Sequence, residues 1–495
     1  MSKVKLWSSL SFLLVFLISF SVQAQEKAAT ASESKALTPN VAETKAAPEK
    51  KTEVKAERKI LGWGSFEKGP KPMVTFHARL RFDFALNTSR VAGGGNRAWW
   101  VLPNYDDILG PRDIASTNDS LEANMYASQS RFGFAINAID VDTLKAKVNG
   151  KLEIDFLGGD YTSSQWQPLP RMRHAYMALD WGFAEILAGQ TWDTFSSLLP
   201  KSDDNQVMLW SGNTALRRPQ LRVTFKPEVA TKTRLFIQAA IARPFDINNA
   251  DYDGLGNQVE TDKNGDGQIT AKDEYGRATG EVKAIGDGNN DGEDSGVPQV
   301  QWRLALETSI WTKAKWKTAL SGHYQRAKYN TLVGSEKHSY SDSWSVVAEL
   351  EFPIIDQLLL RGEFFYGQML RDVFGGAGQD LNPETGEEIK AMGGWVEILG
   401  KPFKVWNIAA GYGIDQPDED TLKVSKIASL EAIRFANDRF YLSNYFNLGD
   451  GVSMAVIYEM LSTTYRLSKD NQTTLNYKEY KARDHRVNFN FAYSF

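Results

Sequence analysis

Alternation of apolar and polar residues is the strongest regular pattern in this chain. From Val74 to Leu86 every second residue is apolar, and the residues between them are mostly polar or charged. Successive side chains of a strand point to opposite faces, so this segment predicts a strand with one apolar and one polar face. From Leu144 to Phe156 the polar positions carry Lys, Asn, Glu and Asp. Such charges are expected where the inner face of a barrel lines water.

The last ten residues repeat the pattern. Val487, Phe489, Phe491, Tyr493 and Phe495 share one parity, and small or polar residues occupy the other. An apolar outer face and a polar inner face are typical of the closing strand of a bacterial outer-membrane barrel.

The same alternation continues as paired strands joined by short turns and long loops in turn. We therefore predict an all-β fold, a transmembrane antiparallel β-barrel of 16–18 strands, with a count that favours 18. Long loops would be extracellular and short turns periplasmic, with both chain ends on the periplasmic side. The length of 495 residues suits one large barrel with long loops.

The N-terminal part has a different composition. Residues 1–24 have a charged start, a short apolar run and a small-residue cleavage site, which predict a secretory signal peptide. Residues 25–65 are rich in Ala, Lys, Glu, Ser and Thr and predict a flexible periplasmic linker; a short coiled coil is the alternative. Residues 66–495 would form the barrel, with an acidic extracellular insertion at 245–297.

Composition and the absence of known motifs reduce the number of function classes that fit the sequence. The chain has 26 Phe, 18 Tyr and 14 Trp but no cysteine, so its stability must come from the fold without disulfides. No hydrolytic, nucleotide-binding or zinc motif is present, and the five histidines are scattered along the sequence. We expect neither enzymatic activity nor a nucleic-acid partner.

Basic residues recur at inward positions of the predicted strands. An inward row of guanidinium groups binds carboxylate or phosphate and biases a pore toward anions. Alternatively, these cations pair with Asp83, Glu153 and Asp155 and only stiffen the wall. The parity of the strand around Met172 is unclear. The predicted pore-lining residues are Arg79, Arg81, Arg131, Lys147, Lys151, Arg171, Arg173, Arg218 and Arg222.

One segment matches the twelve-residue calcium loop, in which oxygen ligands alternate along the chain around a central glycine. Its last position holds Asp in place of the usual Glu. A second, weaker run repeats the spacing. The predicted Ca²⁺ ligands are Asp262, Asn264, Asp266, Gln268, Thr270 and Asp273, and in the weaker run Asp287, Asn289, Asp291 and Asp294.

The surrounding insertion is strongly acidic. Residues 245–297 contain thirteen Asp and Glu against four Lys and Arg. That density of like charge would repel itself unless a cation bridged it. The alternative is an acidic loop that water alone solvates.

Three short segments carry a resemblance to a known family. They are R-M-R-H-A-Y at 171–176, L-A-G-Q-T-W at 187–192 and the terminal Y-S-F at 493–495. On these residues the chain resembles the trimeric porins of Gram-negative outer membranes, and more narrowly the dicarboxylate-type (DcaP-like) porins. The resemblance implies a homotrimer in contact with the lipid bilayer and lipopolysaccharide, a loop after the fifth strand that folds inward, and passive uptake of small anions.

The function that we expect is therefore passive diffusion of small hydrophilic solutes, with the preference for anions or dicarboxylates that the resemblance implies. The loop from Trp192 to Ala215 would set the constriction. Two other classes remain open: a barrel enzyme, and a calcium-stabilised structural or adhesive surface barrel.

Overall fold

The computed structural model describes twelve stretches of the chain and eighteen strand segments. The stretches are 73–93, 97–103, 121–158, 168–202, 207–214, 216–244, 291–312, 314–328, 340–382, 387–422, 432–468 and 477–495. The strands are β1 (Met73–Asn87), β2 (Glu122–Tyr126), β3 (Arg131–Val141), β4 (Ala146–Asp155), β5 (Arg171–Asp180), β6 (Ala184–Trp192), β7 (Arg217–Phe225), β8 (Glu228–Ala230), β9 (Thr233–Ala242), β10 (Gln299–Thr308), β11 (Trp316–Lys328), β12 (Tyr340–Ile355), β13 (Leu358–Gln368), β14 (Lys390–Phe403), β15 (Trp406–Pro417), β16 (Ala432–Gly449), β17 (Val452–Ser468) and β18 (Tyr477–Ser494).

The strands form one closed antiparallel wall. The closing contact pairs β1 with β18, where Phe82 lies opposite Phe491. Two segments do not widen the wall: β2 and β3 both pair with β1, and β7 and β8 both pair with β9. The barrel is therefore sixteen strands wide. The predicted all-β transmembrane barrel is confirmed. Its wall has sixteen strands, the lower end of the predicted 16–18 and not the favoured eighteen, and the structure has eighteen strand segments because of these two interruptions.

Short turns and long connections lie at opposite ends of the barrel. Tight turns join β3 to β4, β5 to β6, β12 to β13, β14 to β15 and β16 to β17, while long connections follow β1, β4, β6, β9 and β13. β1 leads into a long connection, so it begins at the short-turn end. β18 is its antiparallel neighbour and therefore ends there.

Side chains alternate between the two faces of this wall as the sequence predicts. Phe82 and Phe491 are about half exposed on the outside, whereas Asn488 and Asn490 are buried inside. Aromatic rings cluster on the outside at the short-turn end, where Phe403, Trp406 and Phe446 stack in a row. A closed barrel with an apolar outer belt and aromatic rings at its border satisfies its backbone groups internally and suits a lipid environment.

Within the described residues, no helix combines the length and apolarity that a membrane-crossing helix needs. Helical structure there is limited to α1 (Asp291–Asp294) and two 3₁₀ turns, Arg371–Val373 and Gly376–Gly378. The predicted signal peptide, the linker and most of the acidic insertion lie outside the described residues, so these predictions stay as they are.

Candidate functional site

A loop between β6 and β7 crosses the inside of the barrel; we call its described residues, 193–202 and 207–214, the constriction loop. Its Phe195 is fully buried, stacks on His323 of β11 and packs in an apolar cluster with Phe365. The loop follows the fifth strand of the sixteen, so its inward path agrees with the expectation from the sequence.

Three inward glutamates hold this loop against the wall. Glu349 of β12 accepts a hydrogen bond from Ser197, at 2.8 Å. Glu363 of β13 and Glu397 of β14 accept backbone N–H groups of the loop, at 2.7 and 2.9 Å. Hydrogen bonds to a charged or buried acceptor are stronger than average, so these contacts fix the path of the loop.

Glycines of β15 make room for the end of the loop and for a neighbouring aromatic ring. A Cβ atom on Gly413 of β15 would lie 2.3 Å from the carbonyl oxygen of Ser211. One on Gly411 would lie 2.5 Å from the ring of Tyr441. The loop can lie directly on β15 because Gly413 has no side chain at this inward position.

Two further long connections also fold inward. In the connection after β1, Val101 donates its N–H to Thr463 and accepts a hydrogen bond from Tyr465. In the connection after β13, Ala377 accepts a hydrogen bond from Arg434 at 2.9 Å. The sequence indicated neither inward path.

The remaining space forms a cavity of about 940 Å³ beside β1 and β3–β7. At the long-loop end it reaches Arg173 and Arg243, and at the short-turn end it reaches Asn407 and Tyr445. The constriction loop borders it through Leu199, so the passage and the loop share one boundary.

The wall of this cavity carries more cations than carboxylates. Glu153 faces Arg131, Lys151 and Arg173, at 3.8, 2.7 and 2.7 Å. Asp155 pairs with Arg171 and Arg173, both at 2.8 Å. Four cations thus share two carboxylates, and we call these six residues the cationic wall.

A β-bulge in β5 explains how its charged residues share one face. The register between β4 and β5 shifts at Glu153, so that Glu153 lies opposite His174 while Asp155 lies opposite Arg171. Arg171, Arg173 and His174 therefore all point inward, and Met172 is exposed on the outside. One extra residue in one strand is the defining feature of a bulge. It resolves the parity that the sequence left unclear.

The other predicted pore-lining residues lie in different settings. Arg79 lines the cavity opposite Arg131. Arg81 is buried and pairs with Asp83 at 2.6 Å, and Arg218 is buried against Asp193 at 3.0 Å.

Arg222 faces inward between Leu187 and Ala240, and Lys147 lies near the short-turn end, opposite Asp140 and Asp180. Neither borders the cavity. Both face the interior of the barrel, and parity alone gives no position along the barrel axis.

Arg217 and Arg243 are among the cavity cations that were not predicted. Arg217 lies over the ring of Trp192 at 4.3 Å, and Arg243 pairs with Glu293 at 2.5 Å. Both lie where a strand meets a long connection, so alternation gave no signal for them.

The predicted calcium ligands lie outside the described residues, apart from Asp291 and Asp294, which bound the helical turn α1. Among the residues that the structure describes, no group of three potential metal ligands occurs. The calcium prediction therefore stays a prediction.

A closed sixteen-stranded barrel with an inward loop and a charged inner cavity defines the porin-type fold. The chain resembles the outer membrane channel DcaP of Acinetobacter baumannii, with a TM-score of 0.54 and 16% identity over 85% of this chain and 97% of that one. It is also similar to the anion-selective porin from Comamonas acidovorans, with a TM-score of 0.47 and 12% identity over 86% and 100% of the two chains. OmpT of Vibrio cholerae gives a TM-score of 0.46 and 11% identity over 87% and 99%.

At these identities the likeness to DcaP shows the fold alone. No family model and no curated protein sequence matches the chain.

Proposed function

We propose that the protein is a porin of the Gram-negative outer membrane, which lets small hydrophilic anions diffuse through the barrel. The observation that carries the proposal is the cavity along the cationic wall, which reaches from the long-loop end to the short-turn end. Rings of charged side chains set the ion preference of such passages, and an excess of Arg and Lys favours anions.

The dicarboxylate preference that the resemblance implies is part of this proposal. Arg171 and Arg173 lie together at the bulge, and a guanidinium group can bind a carboxylate through two parallel hydrogen bonds. The homotrimer, the contact with lipopolysaccharide and the calcium loop stay predictions of the sequence.

A barrel enzyme is the weaker reading. His323 does contact two hydroxyl groups, those of Ser345 at 2.7 Å and Ser343 at 3.1 Å. However, it is buried beneath the ring of Phe195, so a substrate has no access to it.

The test is the reversal potential of the purified protein in a planar bilayer under a salt gradient. We expect the wild-type protein to conduct and to prefer chloride over potassium. Replacing Arg171→Gln and Arg173→Gln together leaves two cations against two carboxylates in the cationic wall, so the reversal potential should move toward zero.

The matched control is Arg326→Gln, because Arg326 lies on the outer surface and pairs with Asp342. It should leave the reversal potential unchanged. Absence of conductance would overturn the porin proposal, and an unchanged potential in the double variant would overturn the anion preference.

A further inference from the structure

Glu363 is a buried carboxyl group beneath the constriction loop. Its Oε1 accepts the N–H of Leu198 at 2.7 Å, and its Oε2 lies 2.7 Å from the hydroxyl of Ser196. Only 5% of the residue is exposed, and no described side chain forms an ion pair with it. An ionised carboxylate in such a place is costly unless a cation accompanies it.

The charged groups around Glu363 are already committed to other partners. Glu349 lies directly opposite on β12 and binds Arg303 at 2.9 Å. On the next row Arg361 bonds to Glu397 and lies 3.9 Å from Glu351, while Lys201 of the loop donates its backbone N–H to Glu397. When two carboxyl groups lie side by side, the second resists ionisation.

The hydrogen bonds around Ser196 also need a proton on Glu363. The Ser196 hydroxyl lies within reach of two acceptors, Glu363 Oε2 at 2.7 Å and Asn213 Oδ1 at 3.2 Å. The amide of Asn213 is oriented by its Nδ2, which donates to the carbonyl of Val207 at 2.6 Å. A hydroxyl has a single hydrogen, so it cannot form a full hydrogen bond to both oxygens.

We propose that Glu363 is a neutral acid at neutral pH and donates its proton to Ser196 as a positioning residue for the constriction loop. Ser196 then donates to Asn213, and Asn213 donates to Val207. This chain connects the start of the loop to its end. Each buried polar group in it has a partner, which an ionised Glu363 would prevent.

The proposal fixes the direction of the pH dependence. At low pH Glu363 keeps its proton and the loop stays in place. When Glu363 loses its proton at higher pH, a negative charge appears beside Glu349. The Ser196 hydroxyl then donates to the Glu363 carboxylate and no longer to Asn213. The loop contacts therefore weaken at high pH and not at low pH.

The direct test is the infrared difference spectrum between the wild-type protein and Glu363→Gln at neutral pH. We expect the wild type to show the carbonyl band of a protonated carboxylic acid that the variant lacks. The control is Glu153→Gln, since Glu153 pairs with Lys151 and Arg173; its difference spectrum should show the loss of carboxylate bands and no band of a protonated carboxylic acid. A carboxylate band for Glu363 would overturn the proposal.

A second test follows the loop through the current noise of single open channels. The amide of Glu363→Gln can donate to Ser196 and accept from Leu198, as the neutral acid does. We expect noise to rise with pH in the wild type and to stay low in the variant.

A variant that is noisy at every pH, or a wild type that stays quiet at high pH, would contradict the loop role. The infrared test does not depend on conduction, so its failure is distinct from a failure of the porin proposal.

Discussion

The charged side chains on the inner face of the barrel differ in their exposure: some border the cavity and others are buried. Arg173 borders the cavity and bridges Glu153 and Asp155. Arg81 is covered, pairs with Asp83 and is only 3% exposed. Alternation predicted that both point inward. It could not predict which one is buried, because parity gives the face of the wall and not the burial of a side chain.

This difference predicts unequal costs for matched substitutions. Arg81→Ala leaves Asp83 buried without its guanidinium, which should lower the free energy of unfolding by about 3–5 kcal/mol. Arg90→Ala removes an exposed cation that lies 3.7 Å from Glu122, and should cost about 0–1 kcal/mol. The measurement is the temperature at which each purified variant loses its folded band on a semi-native gel. Equal shifts would show that Arg81 is not a structural residue.

The sequence predicted the strands better than the paths of the loops. The strand alternation and the inward loop after the fifth strand were predictable. The bulge at Arg173 was not, because one extra residue reverses the parity on which the reasoning depends. The inward paths of 97–103 and 369–382 depend on hydrogen bonds to distant strands, such as Val101 to Thr463, and leave no local pattern.

The close contact between Gly413 and the constriction loop can be tested by adding a side chain. Gly413→Val places a side chain against the backbone of Ser211 and should displace the loop at a cost of about 1–3 kcal/mol. The expected result is a larger single-channel conductance. Ala410→Val on the outer face of the same strand is the control and should leave conductance unchanged. If both variants conduct as the wild type does, the loop does not limit the passage.

At the scale of the whole barrel, the inside is asymmetric. The walls from β10 to β17 are largely covered by connections and border the cavity only near the short-turn end, for example at Asn407 and Tyr445, whereas β1 and β3–β7 form its other side. Sixteen strands leave enough interior for both arrangements. The strand count was close from sequence because it needs only alternation and turns, while the asymmetry depends on loop packing.

Single cysteines would reveal this asymmetry, since the chain has none of its own. Lys151→Cys on the cationic wall should react with a small membrane-impermeant thiol reagent. Ser443→Cys also faces inward, on β16, but is fully buried and should remain unlabelled in the folded protein. Equal labelling of both variants in the folded state would contradict the covered wall.

The placement of the constriction loop also has a consequence for the order of assembly. Its partners come later in the chain: Thr194 contacts Gln301, which is 107 residues away, and Lys201 contacts Tyr445, which is 244 residues away. Contacts that are this distant form late, because a long stretch of chain must be ordered first. The first strands can therefore pair before the strands that bind the loop have formed. The narrowest point of the passage is set only after the C-terminal strands have joined the wall.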